Sequence, residues 1–508
     1  MVIIRKTPIW FVIIGFILVS TGCSPVESAA VLISTPPLQA PLLIPTSGEV
    51  IQTPSTFLTE QAPKSISVLS ERPRYSLAAV FDYHRQRLVV DEEIFIPHPT
   101  DNPLKNINLV VPPNNWPGVL SIQDITAGEM PIEGYEIKGV TLKIKFGGPG
   151  WQPGEILTLH IQYSLDLPNL NTGKTFGASP FGYTSLQTNL VDWYPMVPPY
   201  QDDLGWIIHD PWTIGEYLVY PAADYQISLE LGLPELVAAA SSAPLNEGDP
   251  LLYSLEKARN FVFSVSPAYT VIKEKVNGTH VYGYIFPGYE ETGQAVFEAT
   301  REALLLYSDL FGPYEQSSVS IVQADFNYGM EYEGLYFQGR RYFDTYNGSE
   351  QSYLVTIAVH EIAHQWWFGK VANDQALEPW LDEALCTFSE LAYYEHLYPQ
   401  STDWWWRTRI NYYEPSGRID RSIYDFQEFD DQYLNYRNAT YLQGAKFLAA
   451  LKNEMGNVLY YAFLKDYGEI YRDQIVTGQD FFSLLEKYVE VSSLDWIGEY
   501  FPDLAEWD

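Results

Sequence analysis

Residues Val355–Gly369 read VTIAVHEIAHQWWFG, and they decide how the second half of the chain is interpreted. Apolar residues surround the motif, and the segment is predicted to be a helix. His360 and His364 are four residues apart, so both imidazoles lie on one helix face and can reach a single metal ion. Glu361 lies beside them, close enough to hold a metal-bound water. The alternative is an ordinary helix with two hydrogen-bonded histidines, because five-residue matches also occur by chance.

A third metal ligand is expected farther along the chain. Pro379 lies at the first turn of a predicted helix that begins EPWLDEALCTF, and Glu383 falls on its N-terminal part. Eighteen residues separate Glu383 from His364. An acidic residue is common at any single position, so this spacing alone adds only modest support.

Three motifs taken together resemble the M1 family of zinc aminopeptidases, over roughly residues 75–508. HEIAH followed by Glu383 resembles the family's gluzincin pattern, and YGMEYEG upstream resembles its exopeptidase motif. TYLQGAKFLAAL resembles the segment with the family's catalytic tyrosine, and VDWYPMVPPY is similar to part of its N-terminal β-domain. The chain ends where the family's catalytic domain ends, so we expect no C-terminal helical domain and a cleft open to longer peptides.

The resemblance implies one Zn²⁺ per chain, held by His360, His364 and Glu383 with a water in the fourth place. Three protein ligands and an open position characterise catalytic zinc, whereas structural zinc has four protein ligands. Glu361 would be the general base that activates this zinc-bound water. Tyr441 would donate a hydrogen bond to the tetrahedral oxyanion.

Substrate recognition is implied in the same way. Glu331 would bind the free α-amino group, and the strand-like segment around Gly329 and Met330 would pair with the substrate backbone as an added strand. Gln187 is a candidate for a second contact to the amine from the β-domain. Its spacing fits only loosely, and a structural role is the alternative.

Two further features bear on the site. Glu390 follows Glu383 by seven residues on the same helix face, and it is predicted to orient a ligand histidine. The alternative for Glu390 is a solvated surface glutamate. Tyr332 replaces the Asn that usually follows the exopeptidase glutamate, and Leu442 and Gln443 replace the Glu and Lys after the catalytic tyrosine.

Composition restricts the class of protein. Hydrophobic residues make up 46% of the 508 residues and charged residues 19%, which is typical of a globular chain. Acidic residues outnumber basic ones by 64 to 30, giving a net charge of −34. This argues against nucleic-acid binding, which needs a basic footprint, and it would draw cations toward any acidic cleft.

The N-terminal residues predict export. Residues 1–23 carry Arg5 and Lys6, an apolar run and then Cys23, and they resemble a bacterial lipoprotein signal in which the cysteine is acylated. Ser20 stands where such signals usually have Leu, so an uncleaved membrane anchor and plain secretion are alternatives. All three place the body outside the cytoplasm, most simply lipid-anchored to a bacterial cell membrane. Residues 24–67 are rich in Pro, Ser and Thr and predict a disordered tether.

The remaining chain is predicted to form two domains. Residues 68–270 contain β-rich runs such as RLVVDEEIFIP and ILTLHIQYSL between turn residues, which predicts an all-β sandwich or saddle domain. Residues 271–508 mix strands with amphipathic helices, which predicts an α+β domain. The resemblance implies that this second domain is a thermolysin-like zinc peptidase domain.

The predicted function is hydrolysis of N-terminal residues from peptides that have a free N-terminus. A zinc endopeptidase of the same fold is one alternative. A catalytically silent surface binding protein is the other, although it would have to retain every active-site residue without using it.

Overall fold

The computed structural model describes residues 72–170, 179–491 and 494–502. The predicted export signal (1–23) and tether (24–67) lie outside these residues, so both remain predictions. Among the described residues, no helix combines the length and the apolar character needed to cross a membrane.

The first half of the described chain consists of β-strands, as the alternating patterns predict. RLVVDEEIFIP forms one strand over its whole length, with its apolar residues buried. The strands of this half are β1 (Arg74–Asp82), β2 (Arg87–Pro97), β3 (Asn106–Val110), β4 (Leu120–Thr126), β5 (Ile132–Lys138), β6 (Thr141–Phe146), β7 (Ile156–Asp166), β8 (Gly182–Tyr183), β9 (Thr188–Leu190), β10 (Tyr200–Gln201), β11 (Gly205–Trp206), β12 (Ala223–Glu230), β13 (Val237–Ala240), β14 (Leu251–Ala258) and β15 (Phe263–Ser266).

These strands form layered sheets around one hydrophobic core. The largest sheet has the order β14-β12-β1-β2-β7-β4, in which only β1 and β12 run parallel. Two further sheets have the orders β3-β6-β5 and β13-β15-β9-β8. Trp151, Tyr163 and Trp193 are fully buried in the shared core. The predicted all-β class of this half is confirmed.

The second half mixes strands and helices. Its strands are β16 (Thr270–Val276), β17 (Thr279–Ile285), β18 (Ser318–Ala324), β19 (Met330–Tyr332), β20 (Leu335–Gly339), β21 (Ala372–Asn373) and β22 (Ile475–Val476). Its helices are α1 (Glu290–Phe311), α2 (Arg340–Asp344), α3 (Tyr353–Ala363), α4 (Trp380–Leu397), α5 (Thr402–Trp405), α6 (Gln432–Tyr436), α7 (Gly444–Ile470) and α8 (Gly478–Leu485).

The second half is organised around a sheet of order β16-β17-β18-β20-β19. Strands β17, β18 and β20 run parallel, whereas β19 lies antiparallel at the sheet edge. Helix α3 packs against both α1 and α4, and α4 packs against α7. This arrangement confirms the predicted α+β class.

Helix α3 is buried on all sides, which explains its apolar sequence. The Ser352 hydroxyl caps its first turn by accepting a hydrogen bond from the Val355 amide at 3.4 Å. The helix is shorter than predicted, because it ends at Ala363 and His364 forms its C-cap. The following residues turn back, and the Gly369 amide donates to the His364 carbonyl at 2.9 Å. Trp366 and Trp367 lie in the core after this turn. Their burial requires apolar side chains, and those side chains led to the prediction that the helix continues.

Candidate metal centre and active site

Three predicted ligands meet where α3 and α4 pack together. The Nε2 atom of His360 lies 3.1 Å from Glu383 Oε2, and the Nε2 atom of His364 lies 3.6 Å from the same oxygen. One ligand atom from each of the three residues lies within 4.8 Å of the other two, and all three residues are buried. Ligands of a tetrahedral zinc ion are separated by about 3.3 Å. The donor set and its spacing therefore fit a zinc ion.

The other nitrogen of each imidazole is already engaged. His360 Nδ1 is hydrogen-bonded to Glu390 Oε1 at 2.9 Å, and His364 Nδ1 is hydrogen-bonded to the Trp367 carbonyl at 3.2 Å. Because both partners are acceptors, each Nδ1 carries a proton, and Nε2 is the nitrogen of each ring that faces Glu383. A metal ion would bind at Nε2, while Nδ1–H keeps its present partner.

Glu390 is held in place by several donors. It is 0% exposed, and it accepts hydrogen bonds from Trp405 Nε1 at 2.9 Å and from Arg409 Nη2 at 2.8 Å. Burial alone lowers the pKa of His360, but hydrogen bonds to Glu383 and Glu390 raise it to about 10. Glu390 is therefore no surface residue, and it lies where a residue that orients His360 must lie.

Replacing Glu390 with Gln should weaken zinc binding by about 10- to 100-fold, since a partner that fixes a ligand imidazole contributes on that scale. Competition with a chromogenic chelator measures the affinity. Glu454→Gln, which changes an exposed glutamate of α7, is the matched control and should bind zinc normally. A folded Glu390→Gln chain with unchanged zinc affinity would contradict the orienting role.

Glu361 lies between the metal cluster and the segment of the predicted exopeptidase motif that contains Gly329. Its side chain is buried, and its Oε2 atom has no hydrogen-bond partner among the described residues. Burial raises the pKa of Glu361 to about 8, although the charge of His360 opposes the shift. A Cβ atom at Gly329 would collide with the Glu361 carboxylate, which explains why this position has no side chain. The free oxygen suits a group that accepts a proton from a bound water.

Tyr441 contacts the cluster from a segment that follows all three ligand residues in the sequence. It lies in a π-helical turn, Arg437–Gln443, that precedes α7. Its hydroxyl donates to Glu383 Oε1, and its ring stacks on His360 with centroids 5.9 Å apart. The prediction thus placed Tyr441 at the site, although Leu442 and Gln443 depart from the family pattern.

We expect Tyr441→Phe to lower kcat by about 100- to 1,000-fold with little change in KM, the scale of one lost oxyanion donor. Steady-state kinetics on a single peptide measure both constants. Tyr433→Phe changes an exposed tyrosine nearby and should leave both constants unchanged. An equal loss in both variants would show that the hydroxyl of Tyr441 has no special part.

Strand β19, which carries the predicted exopeptidase motif, is held in place by hydrogen bonds from two glutamines. Gln365, just after α3, accepts a hydrogen bond from the Gly334 amide at 2.8 Å and donates to the Tyr332 carbonyl at 2.9 Å. Gln375 donates to Glu331 Oε1 at 3.2 Å and to Asp382 Oδ2 at 2.8 Å. Strand β19 is thereby held beside the metal cluster without the usual Asn at position 332.

Glu216 completes an acidic wall that sequence reasoning missed. It lies on the loop between β11 and β12, and it lines the same cavity as Glu331. Burial and the charges of Glu383 and Asp382 raise the pKa of Glu216, while burial and Glu216 itself raise that of Glu331. No motif surrounds Glu216, so only the folded structure brings it here.

Gln187 is not available for the substrate amine, and that prediction is corrected. Its Nε2 atom donates to Asn189, Ser264 and Tyr269 over 2.9–3.1 Å, and its Oε1 accepts from the Asp325 amide. The residue is 1% exposed. Its amide is therefore fully used in the interior, which agrees with the structural alternative.

Comparison with known proteins independently supports the resemblance to the M1 family. The model of the peptidase family M1 domain matches residues 295–501. "Probable aminopeptidase 2" of Sulfurisphaera tokodaii is 23% identical over 231 residues, which is 42% of this chain and 29% of that protein. "Aminopeptidase M1-B" of Oryza sativa subsp. japonica is 25% identical over 227 residues, which is 42% of this chain and 26% of that protein. The chain thus spans less than a third of the curated relatives it matches.

Solved structures match over most of the chain. An M1 zinc metallopeptidase from Deinococcus radiodurans aligns with a TM-score of 0.57 at 16% identity, covering 83% of this chain and 92% of that one. A mutant of it bound to a Tyr-Ser-Ala substrate aligns with a TM-score of 0.54 at 16% identity, covering 82% and 91%. At this identity the likeness shows the fold.

The fold is that of the M1 zinc metallopeptidase structures, and His360, His364 and Glu383 form a buried cluster that could hold a metal ion. The match of residues 295–501 to the peptidase family M1 domain model confirms the resemblance drawn from the three motifs.

Proposed function

We propose that the chain is a zinc-dependent aminopeptidase that removes N-terminal residues from peptides. One observation carries the proposal: Glu331 and Glu216 line one cavity directly beside the cluster of His360, His364 and Glu383. The charge of Glu216 adds to burial in raising the pKa of Glu331, and carboxylates crowded in this way favour a positive charge beside them. The α-ammonium group of a peptide supplies such a charge.

The reaction follows from the positions of the side chains. Zinc held by His360, His364 and Glu383 would polarise the scissile carbonyl and acidify a water. Glu361 accepts the proton of the attacking water and passes it to the leaving amine. The hydroxyl of Tyr441 donates to the oxygen that becomes negative.

The cut is confined to the first peptide bond by the binding groups. Glu331 and Glu216 hold the α-ammonium group, and strand β19 offers its free edge to the extended substrate backbone. These two carboxylates lie next to the metal cluster. A substrate whose α-ammonium group they hold therefore has its first carbonyl at the cluster. The curated relatives are named aminopeptidases, and the D. radiodurans mutant is bound to a Tyr-Ser-Ala substrate, and both facts support a peptide substrate.

A pair of peptides tests this function. The zinc-loaded chain is incubated with one peptide and with its N-acetylated twin, and products are followed by mass spectrometry. Stepwise release of the first residue from the free peptide alone is expected, and Glu331→Gln should lose most of this selectivity. Internal cleavage of both peptides would support an endopeptidase instead. Cleavage of neither, with zinc bound, would support a binding protein.

We further propose that Cys23 carries lipid and anchors the mature chain at the outer face of a bacterial membrane. Labelling of expressing cells with radioactive palmitate should mark the wild type and the Cys386→Ala variant, because Cys386 is buried in α4. Cys23→Ser should lose the label. Persistent labelling of Cys23→Ser would contradict lipidation, and an unlabelled wild type would leave secretion or a single-pass anchor.

A further inference from the structure

The cavity beside the metal cluster has an acidic group that the proposed reaction does not use. Asp192 lies on its wall, two residues after β9, together with the aromatic side chains of Trp212, Tyr217 and Tyr220. It belongs to the β-domain, whereas the metal cluster belongs to the catalytic domain. The cavity is therefore built from both parts of the chain.

Only one of the two carboxylate oxygens of Asp192 has a hydrogen-bond partner among the described residues. The residue is 8% exposed, and its Oδ1 atom accepts a hydrogen bond from the Tyr220 hydroxyl at 2.7 Å. Its Oδ2 atom has no hydrogen-bond partner among the described residues, yet it is not sealed in the interior. Asp192 lines the cavity, so a group that enters there can approach its carboxylate.

Asp192 also lacks a counter-charge in the part of the chain that the structure describes. None of the ion pairs there includes it, and burial raises its pKa to about 6, against the opposing hydrogen bond from Tyr220. A buried carboxylate without a cation is costly, and a cationic partner would remove that cost. Tyr217 and Tyr220 offer π-faces of the kind that attract ammonium and guanidinium groups.

Asp192 and the two carboxylates proposed to bind the α-ammonium group all lie near Tyr332. The charges of Asp192, Glu331 and Glu216 all act on the Tyr332 hydroxyl, which is buried, and raise its pKa. A substrate held by its α-ammonium group at Glu331 would thus extend its first side chain along a wall that also carries Asp192. Lysine and arginine combine a long apolar stem with a terminal cation, which matches aromatic walls and a carboxylate.

We infer that Asp192 selects substrates whose N-terminal residue is lysine or arginine, by receiving the side-chain cation on its free oxygen. The inference rests on the proposed aminopeptidase function, because only then does this cavity take the side chain of the first residue. It goes beyond that function by naming the class of substrate.

Matched peptides that differ only in the side-chain charge test the inference. The zinc-loaded chain is assayed with Lys-Ala-Ala and with norleucine-Ala-Ala, whose side chain lacks only the terminal ammonium group. We expect kcat/KM to favour Lys-Ala-Ala by about 10- to 100-fold, the scale of one charge-assisted contact. Asp192→Asn should reduce this ratio to near unity while retaining an acceptor for Tyr220. Asp203→Asn, an exposed aspartate of the same domain, should leave the ratio unchanged.

Binding provides a second readout that does not depend on turnover. Calorimetry with the zinc-loaded Glu361→Gln variant should show the same preference for Lys-Ala-Ala, and the double variant with Asp192→Asn should lose it. Equal cleavage and equal binding of the two peptides, or a preference for norleucine, would overturn the inference and leave the aminopeptidase intact. If no peptide is cleaved, the proposed function fails, and the binding preference alone decides the role of Asp192.

Discussion

Replacing Glu361 with Gln is expected to lower kcat by about 100- to 10,000-fold while zinc content stays at one ion per chain. The amide has nearly the shape of the carboxylate but cannot accept the proton of the attacking water. The ligands His360, His364 and Glu383 are unchanged, so the metal site itself should persist. Stopped assays on a free peptide, with zinc measured by mass spectrometry on the same sample, give both quantities.

The matched control is Glu454→Gln, the exposed glutamate on α7, which should retain full activity. Two outcomes would count against the role of Glu361. Retained turnover in the variant would mean that another group accepts the proton. Loss of zinc together with activity would mean that Glu361 supports the metal and that its removal does not isolate the proton transfer.

Removal of a ligand should have the largest effect of all. In His364→Ala only His360 and Glu383 remain, and two protein ligands do not suffice for the three-ligand arrangement of catalytic zinc. We expect zinc content to fall to background after dialysis and turnover to fall below detection. Zinc analysis and the peptide assay, before and after dialysis against a chelator, measure these losses.

His280→Ala is the control for this variant, because His280 is exposed and lies on β17, away from the ligand helices. It should keep both zinc and activity. A His364→Ala chain that still binds one zinc tightly would contradict the assignment. The retained zinc could not be held by the neighbouring group of Glu331, His364 and Asp382 either, since that group also includes His364.

Much of the metal site was predictable because its residues follow local rules. The spacing of His360 and His364 is fixed by one turn of helix, and Glu390 follows Glu383 by two turns on α4. These pairs depend on helix geometry alone, so the motif specifies them. The alternation of apolar residues likewise predicted β2 over its whole length.

The parts that were missed depend on distant contacts. Glu216 comes from a loop without periodicity, and Asp192 lies just after a three-residue strand; neither lies in a motif that marks it. Gln187 was misplaced because its position was inferred from loose spacing, whereas its hydrogen bonds join it to Ser264 and Tyr269, which are distant in the sequence. Local patterns identified the chemistry, and the packing of the two domains determined which carboxylates face it.

The most direct test of the account is a crystal structure of the Glu361→Gln variant with bound Lys-Ala-Ala, using diffraction data collected at the zinc absorption edge. We predict one anomalous peak bonded to His360, His364 and Glu383, with the peptide's α-ammonium group between Glu331 and Glu216. A zinc peak elsewhere, or a peptide that runs through the cavity with its amine beyond Glu331, would contradict the account.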